Sequence, residues 1–429
     1  MSLSGAMFTG VSGLGAISTA IQVIGDNIAN QNTPGFKASR VQFADVLGRT
    51  ITSAGGFSQV GAGTAVARVQ PLFTQGTFEN TSVNTDLAIE GAGLFVVDGN
   101  QGRHYTRVGL FSFDNQGLLV DADGDRVQGF GIDPATGSAN GQLGNVAINN
   151  ALAPPVPTSA ISTNLNLNAS ATAIPGGFDP ADPVGTANFT HLATVYDSLG
   201  NARPVTLFFT KTAAGAWDWT AAVPPSETTT APANPTDTFV VQGSGTLAFD
   251  TSGTLTAATG TTVNFQFAGG AAGSQSITID FGPLGAQTGS TTQFANAQSV
   301  VNAFTQDGSS AGTLVNLDID DAGYITGLFS NGSIVPLAQL ALAQFPNLEE
   351  LQAVGNNNYV ETRASGQPLV GAPSSGQFGS IRSSTIEQSN VDLAGEFVRL
   401  IIYQRGFQAN TRTISTSNEL LASLLQLGQ

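Results

Sequence analysis

Met1-Ser-Leu-Ser-Gly-Ala-Met-Phe-Thr-Gly-Val-Ser-Gly-Leu-Gly-Ala-Ile-Ser-Thr-Ala-Ile-Gln-Val-Ile-Gly25 contains no charged side chain. Within it and just beyond, Leu3, Met7, Leu14, Ile17, Ile21, Ile24 and Ile28 keep the three-and-four spacing of a heptad. That spacing predicts an α-helix with an apolar seam down one face. The far end answers it with Leu393, Phe397, Leu400, Phe407, Ile414, Leu421 and Leu425, interrupted by the polar Gln404, Thr411 and Asn418. Residues 75 to 345 read as strands and turns, so the expected burial is helix on helix, first between the termini of one chain and then between chains. A helix of about 30 residues would run about 45 Å.

A secretory signal would need a basic start and a compact apolar run, whereas Ser, Thr, Gly, Gln and Asn recur here and no Lys or Arg precedes Lys37. A membrane span would need about 18 uninterrupted apolar residues, and no stretch has them. The expectation is a chain without membrane insertion.

Only 10% of the 429 residues are charged, so Ser, Thr, Asn, Gln and Gly must clothe the surface. With 52 Gly, 19 Pro and 41% hydrophobic residues, the middle reads as turn-rich β structure, since a disordered chain would lack that apolar content. The net charge of -16 excludes a basic nucleic-acid face and disfavours anionic membranes. Lys37 and Lys211 are the only lysines, and the absence of cysteine removes disulfides and thiolate chemistry.

After the first seam, Asn27-Ile-Ala-Asn-Gln-Asn-Thr-Pro-Gly-Phe-Lys37 crowds Asn, Pro and Gly together. The helix should end near Asn30 and the chain turn sharply, with a loosely ordered connector over 38 to 75. From about residue 76 short apolar runs begin, such as Leu87-Ala-Ile89 and Leu94-Phe-Val-Val97. One turn device recurs at Asp114 to Gly117, Asp250 to Gly253 and Asp320 to Gly323: Asp can bond the turn backbone while Gly supplies positive φ, as a hairpin requires. Pro154-Pro-Val-Pro157 marks a break before a second block with period-two alternation at Val205-Leu207-Phe209 and Ile277-Ile279-Phe281. Thr228 to Thr236 suits an exposed loop. Strand patterning like that of the first block resumes at Leu314.

The fold class that follows is multidomain and mainly β, with two nested β-rich domains and terminal helices forming a coiled-coil-like domain. The expected divisions are 1–30 with 390–429 as the helical polymerisation domain, 31–75 with 360–389 as connector, 76–150 with 313–359 as inner β-domain, and 151–312 as inserted outer β-domain.

Chemistry-bearing motifs are few. Asp121-Ala-Asp-Gly-Asp125 lacks the Gly and Glu of a calcium loop, whose sixth and twelfth positions are here Arg126 and Ile132. His104 and His191 sit in no metal-binding pair and read as strand residues with an exposed edge. Nothing in the spacing of the 30 acidic residues asks for a carboxylate pair. Catalytic, metal and cofactor sites are therefore expected to be none. Arg399, Arg405 and Arg412 on the last helix read equally as a solvated face or as pairing between subunits.

Three segments resemble the rod and hook axial proteins of the bacterial flagellum. They are the run containing Asn27, Asn30, Asn32, Gly35, Phe36 and Lys37; Asp86 to Val97 continued by Tyr105 to Phe111; and Ser389 to Val398 continued by Gln404 to Asn410 and Asn418 to Leu421. Thr194-Val-Tyr-Asp-Ser-Leu-Gly-Asn201 and the strand bearing Trp217 and Trp219 resemble the outer domain of hook members, which distal rod subunits lack. The resemblance implies a non-enzymatic subunit that self-assembles into the curved hook. It further implies contacts with distal rod, hook cap and hook-filament junction proteins, and export through the flagellar type III apparatus without a cleaved signal, losing at most Met1. Gly395 departs from the family, which usually has a better helix former there. The alternatives are a distal rod subunit, to be told apart by a straight polymer, and a secreted β-rich adhesin, which would leave both seams unexplained.

Overall fold

The computed structural model describes residues 3–427 except 49, 54–55, 60, 100–101, 134–135, 149–151 and 272, and the side chains of 3–4, 50–53, 56–59, 424–425 and 427 lie outside that description. Helix α1 is Leu3–Ala29, α2 a single turn at Pro183–Thr186, and α3 Leu393–Leu427. Nearly all other regular structure is strand, so the protein is mainly β with helical termini. The chain forms two compact units, one of 1–150, 316–327 and 335–429, the other of 151–315 and 328–334.

In the first unit α1 and α3 run antiparallel. A Cβ on Gly10 would stand 2.9 Å from Ile414 Cγ1, one on Gly13 2.8 Å from Asn410 Nδ2, and one on Gly406 3.2 Å from Ile17 Cδ1. The buried stripe of α1 is thus Gly10, Gly13, Ala16, Ala20, Ile24 and Asn27, and the helices approach through small residues. By length and composition Gly5–Ala29 could cross a membrane, and one face of it is covered by α3. The chain leaves α1 through a turn at Gly35 (φ 71°), where a Cβ would come within 2.9 Å of Val108 N.

Residues 38 to 75 are not the loose connector expected. Strand β1 (Ser39–Asp45) pairs antiparallel with β4 (Thr64–Pro71), from Ser39↔Pro71 to Asp45↔Thr64, with a register shift between Gln42 and Phe43. Between them β2 (Thr50–Ser53) pairs with β3 (Gly56–Gln59). Val41, Phe43, Val66 and Val69 supply the β-branched and aromatic content, but their wide spacing among Gly punctuation hid the strands from a periodicity reading.

The β-block of this unit is built on β5 (Phe78–Asn80), β6 (Leu87–Glu90), β7 (Leu94–Gly99) and β8 (Gly102–Thr106). Strand β7 pairs with β8, with Arg126–Ile132 and with Leu342–Gln344, so both of its edges are paired. Phe95 and Val97 join a core with Leu87, Ile89, Phe111, Leu119, Val127 and Ile381, while Leu94 and Val96 join Tyr105, Phe345 and Tyr359 on the other side. A continuous apolar run is what such a doubly buried strand needs.

The second unit holds two five-stranded sheets. One is a meander of Phe189–Tyr196, Ala202–Ala213, Ala216–Val223, Val240–Phe249 and Leu255–Ala258. In the other, Ala160–Asn168 pairs parallel with Gln275–Asp280 and Thr292–Phe294 and antiparallel with Val300–Gln306. Trp217, Trp219, Phe209, Phe281, Ile161 and Ile279 from both sheets form one core. The two indole N–H groups donate to Gln293 Oε1 (2.8 Å) and Thr259 O (3.1 Å), which satisfies them inside it.

The Asp and Gly turns work as expected. Asp114 Oδ1 accepts from Gln116 N and Leu118 N, Asp250 Oδ1 from Ser252 N and Thr254 N, and Asp320 Oδ1 from Tyr324 N. Gly117, Gly253 and Gly323 have φ of 73°, 81° and 75°. Asp121 and Asp197 repeat the device, so 121 to 125 is a hairpin turn. His104 departs from its reading: β8 is an interior strand and the ring is buried, with Nδ1 4.0 Å from Asp125 Oδ2. His191 stands on an edge strand, half-buried against the Phe304 ring.

Candidate functional site

The signature run after α1 enters a buried polar knot at the root of both terminal helices. Asn27 closes a reciprocal pair with the Ser39 backbone, donating from Nδ2 to Ser39 O (2.8 Å) and accepting at Oδ1 from Ser39 N (2.9 Å). The end of α1 is thereby locked to the start of β1. Asn30 Nδ2 donates back to Asp26 O (3.0 Å) and Thr33 Oγ1 donates to Asn30 Oδ1 (3.1 Å), which fixes the turn. Asn390, just before α3, accepts from Ala38 N (2.7 Å) and donates to Leu72 O (2.8 Å) and Thr74 O (3.0 Å).

Beneath these amides lies a triad of charges. Lys37 Nζ and Arg107 Nε each stand 2.6 Å from the carboxylate oxygens of Glu387. Lys37 also donates to Thr74 O (2.8 Å), and Arg107 to Gly93 O (2.6 Å), Ile89 O (2.7 Å) and Gly91 O (2.9 Å). Glu387 Oε1 further accepts from Gly76 N (2.8 Å). Burial pushes the Glu387 carboxyl up, but the Arg107 and Lys37 charges outweigh it and hold the group below its ordinary range. Burial wins at Lys37, whose pKa is lowered despite Glu387. One carboxylate between two cations thus joins the turn after α1, the β-block and the approach to α3. Removing Glu387 would strand two buried cations, whereas removing either cation would leave the other paired with it.

Of the remaining signature residues, Asn32 and Phe36 reach the surface. Asn32 is exposed at the rim of a polar cavity of about 640 Å³ that Gln31, Gly76, Ser389 and Asp392 also line, and Phe36 is half-buried. Gly35 is buried, and its N–H donates to Glu387 O (2.8 Å).

Of the seam residues, Ile24 is buried, and Met7, Leu14, Ile17, Ile21, Ile28, Leu393, Leu400 and Ile414 are half-buried within the chain. Phe397, Phe407 and Leu421 are 48%, 40% and 37% exposed, beside the exposed Val398, Ile401 and Ile402. Leu3 and Leu425 lie in the helices with side chains outside the described set. The chain therefore brings together small residues of α1 and leaves an apolar face of α3 uncovered. Phe8 and Val11 are exposed likewise on α1.

Sequence reading missed Glu387 as the partner of Lys37, Arg107 as the second cation on Glu387, and Asn390, which shares the Thr74 carbonyl with Lys37. A signal was present: the chain has two lysines, and both are buried. Lys211 donates to the carbonyls of Ala169 and Ala171. Among the described residues, no three of His, Cys, Asp and Glu are placed to hold a metal ion.

The matches of this chain to known proteins place it among the axial proteins of the flagellar rod and hook. Family profiles match in four places: flagella basal body rod protein at 7–37, flagellar hook protein FlgE/F/G D1 domain at 88–169, flagellar basal body protein FlaE D2 domain at 164–309, and flagellar basal body rod FlgEFG protein C-terminal at 382–427. The chain is 34% identical to the flagellar hook protein FlgE of Borreliella burgdorferi over 98% of its length and 99% of that protein. It is 35% identical to that of Escherichia coli over 97% and 98%, and 34% identical to that of Rhizobium meliloti over the whole of both. The chain belongs to the flagellar hook protein family and is a structural subunit of the hook.

Proposed function

We propose that copies of this chain polymerise through α1 and α3 into a tube that passes motor torque to the filament. The observation that carries this is the apolar face of α3 at Phe397, Val398, Ile401 and Ile402, exposed in a helix whose opposite side already packs on α1. Exposed aromatic and β-branched side chains on a chain with so few charges call for a cover, and a second copy supplies the same face again. The polar knot then acts as a rigid root, tying the helical layer to the β-block so that a force on one moves the other. The distal rod, the hook cap, the hook-filament junction and the type III export apparatus are the partners proposed, with passage to the cell exterior and no cleaved signal.

Substituting Phe397→Asp and Phe407→Asp tests the reading. Both side chains are already exposed, so the free subunit should fold and melt as before. Each lost burial is worth about 1.5–3 kcal/mol, or roughly tenfold to a hundredfold in the concentration needed for assembly. Normal tubes from the doubly substituted chain, seen by electron microscopy, would remove the helical face from the interface.

A further inference from the structure

Glu396 is 4% exposed in the first turn of α3, yet only half of its carboxylate is used. Its Oε1 accepts from Arg399 Nη1 (2.8 Å), while the buried Oε2 accepts no hydrogen bond. The residue lines a cavity of about 160 Å³ together with Ala20, Ile24, Arg40, Arg399 and Tyr403. Arg40 lines the same cavity but makes no hydrogen bond to this oxygen, and its Nε donates to Gln70 Oε1 (2.9 Å). A buried carboxylate oxygen without a donor is unfavourable, and close packing of copies around the cavity would shut out the water that could relieve it.

We infer that Glu396 is an acceptor for a guanidinium of a neighbouring copy, supplied by that copy's Arg405 or Arg412. The inference rests on the assembly reading above and names a polar contact within it. Charge narrows the donors. Helix α1 has no basic residue, and α3 has three, of which Arg399 is already spent on Glu396 within the chain. Arg405 and Arg412 are exposed, seven residues apart, and show no ion pair among the described residues. A neighbouring helix seated on the apolar stripe of α3 could slide along it, whereas one guanidinium reaching the cavity between α3 and α1 fixes a register.

The test measures the soluble concentration in equilibrium with tubes for Glu396→Gln, Arg405→Gln, Arg412→Gln and each Arg change combined with Glu396→Gln. Glutamine keeps the shape of Glu396, and its one partner, Arg399, is 55% exposed and can turn to water, so monomer melting should change little. Expected is a rise of tenfold or more for Glu396→Gln, the same rise for one of the two Arg changes, and no further rise in that pair's double variant. Independent, multiplying effects would overturn the inference. So would full assembly by both Arg variants, which are surface changes that cannot act by unfolding, or an Arg399→Gln variant that alone reproduces the Glu396→Gln defect. If the unaltered chain forms no tubes, the assembly reading fails first and this contact with it.

Discussion

Replacing Glu387 by Gln removes the one negative charge of the buried knot and leaves its volume in place. The side chains of Glu387, Lys37 and Arg107 are 0%, 1% and 7% exposed, so neither cation can turn to water when its counter-charge goes. Breaking a buried pair from one side costs about 3–5 kcal/mol, and two stranded cations argue for the upper end. For a unit of this size each kcal/mol lowers the melting midpoint by about 2–4 °C, which gives a fall of roughly 6–20 °C. Calorimetry should show this in the unit that holds the knot. Trp217 and Trp219, the only tryptophans, lie in the other unit, so the midpoint read by their fluorescence should stay put. Arg68→Gln is the comparison: it also removes one charge facing two, Glu349 and Glu350, but at side chains about 41–42% exposed, where the loss should be about 0–1 kcal/mol. A Glu387→Gln midpoint within about 2 °C of the parent would refute the view that the knot anchors the helices.

The pH dependence of the same variant has a definite sign, because Glu387 is held below its ordinary value of 4.5: its contribution is complete above that pH and disappears as pH falls through the lowered folded value, so the gap between parent and variant should close in acid and stay open at neutrality. Gly13→Val should loosen the helix pair by about 1–3 kcal/mol, since its side chain would meet Asn410, whereas Gly15→Ala enters open space and should gain up to about 1 kcal/mol of helix propensity; protease resistance of the two ends should rank them in that order. Replacing residues 158–305 by a short Gly-Ser linker is geometrically mild, because Thr158 Oγ1 already donates to Gln306 Oε1 at 3.0 Å. The shortened chain should still build tubes with altered curvature, and a stably folded but non-assembling product would move the polymer contacts to the outer block.

The parts of the fold with a strict local rule were legible. Leu94 to Val97 announced a strand as a short apolar run, and Asp with Gly three residues on announced each hairpin turn because both constraints lie inside four residues. The helical termini were legible from spacing, but which face meets which was not. Heptad reading follows large apolar side chains, and here the intrachain contact is made by Gly10, Gly13, Ala16 and Ala20, which that reading treats as background. The knot was hidden for another reason: Lys37 and Glu387 are 350 residues apart, and no local pattern relates them. Asp237 shows the same limit on a smaller scale. It sits in a loop whose composition reads as exposed, yet it is buried and its carboxylate accepts from Asn234 N (2.8 Å).

The distribution of side-chain size around α1 and α3 has a thermodynamic consequence that ties the fold to its use. Glycine and alanine at the intrachain contact allow close approach but bury little apolar area, so the pair gains little hydrophobic free energy within one copy. Ordering each residue of those helices still costs about 1–2 kcal/mol of backbone entropy, and every glycine adds to that. The large apolar groups that could offset it, Phe397, Phe407, Ile401 and Ile402, point away from the chain's own core. A protein stable alone would have the reverse arrangement, with phenylalanine inside and glycine at turns. Here the helices are held at their root by fixed charges and amides, and their outer length depends on what another surface covers. On the proposed assembly, polymerisation is the step at which the terminal helices acquire most of their stability, and the knot is what keeps the two ends paired and correctly spaced until that step.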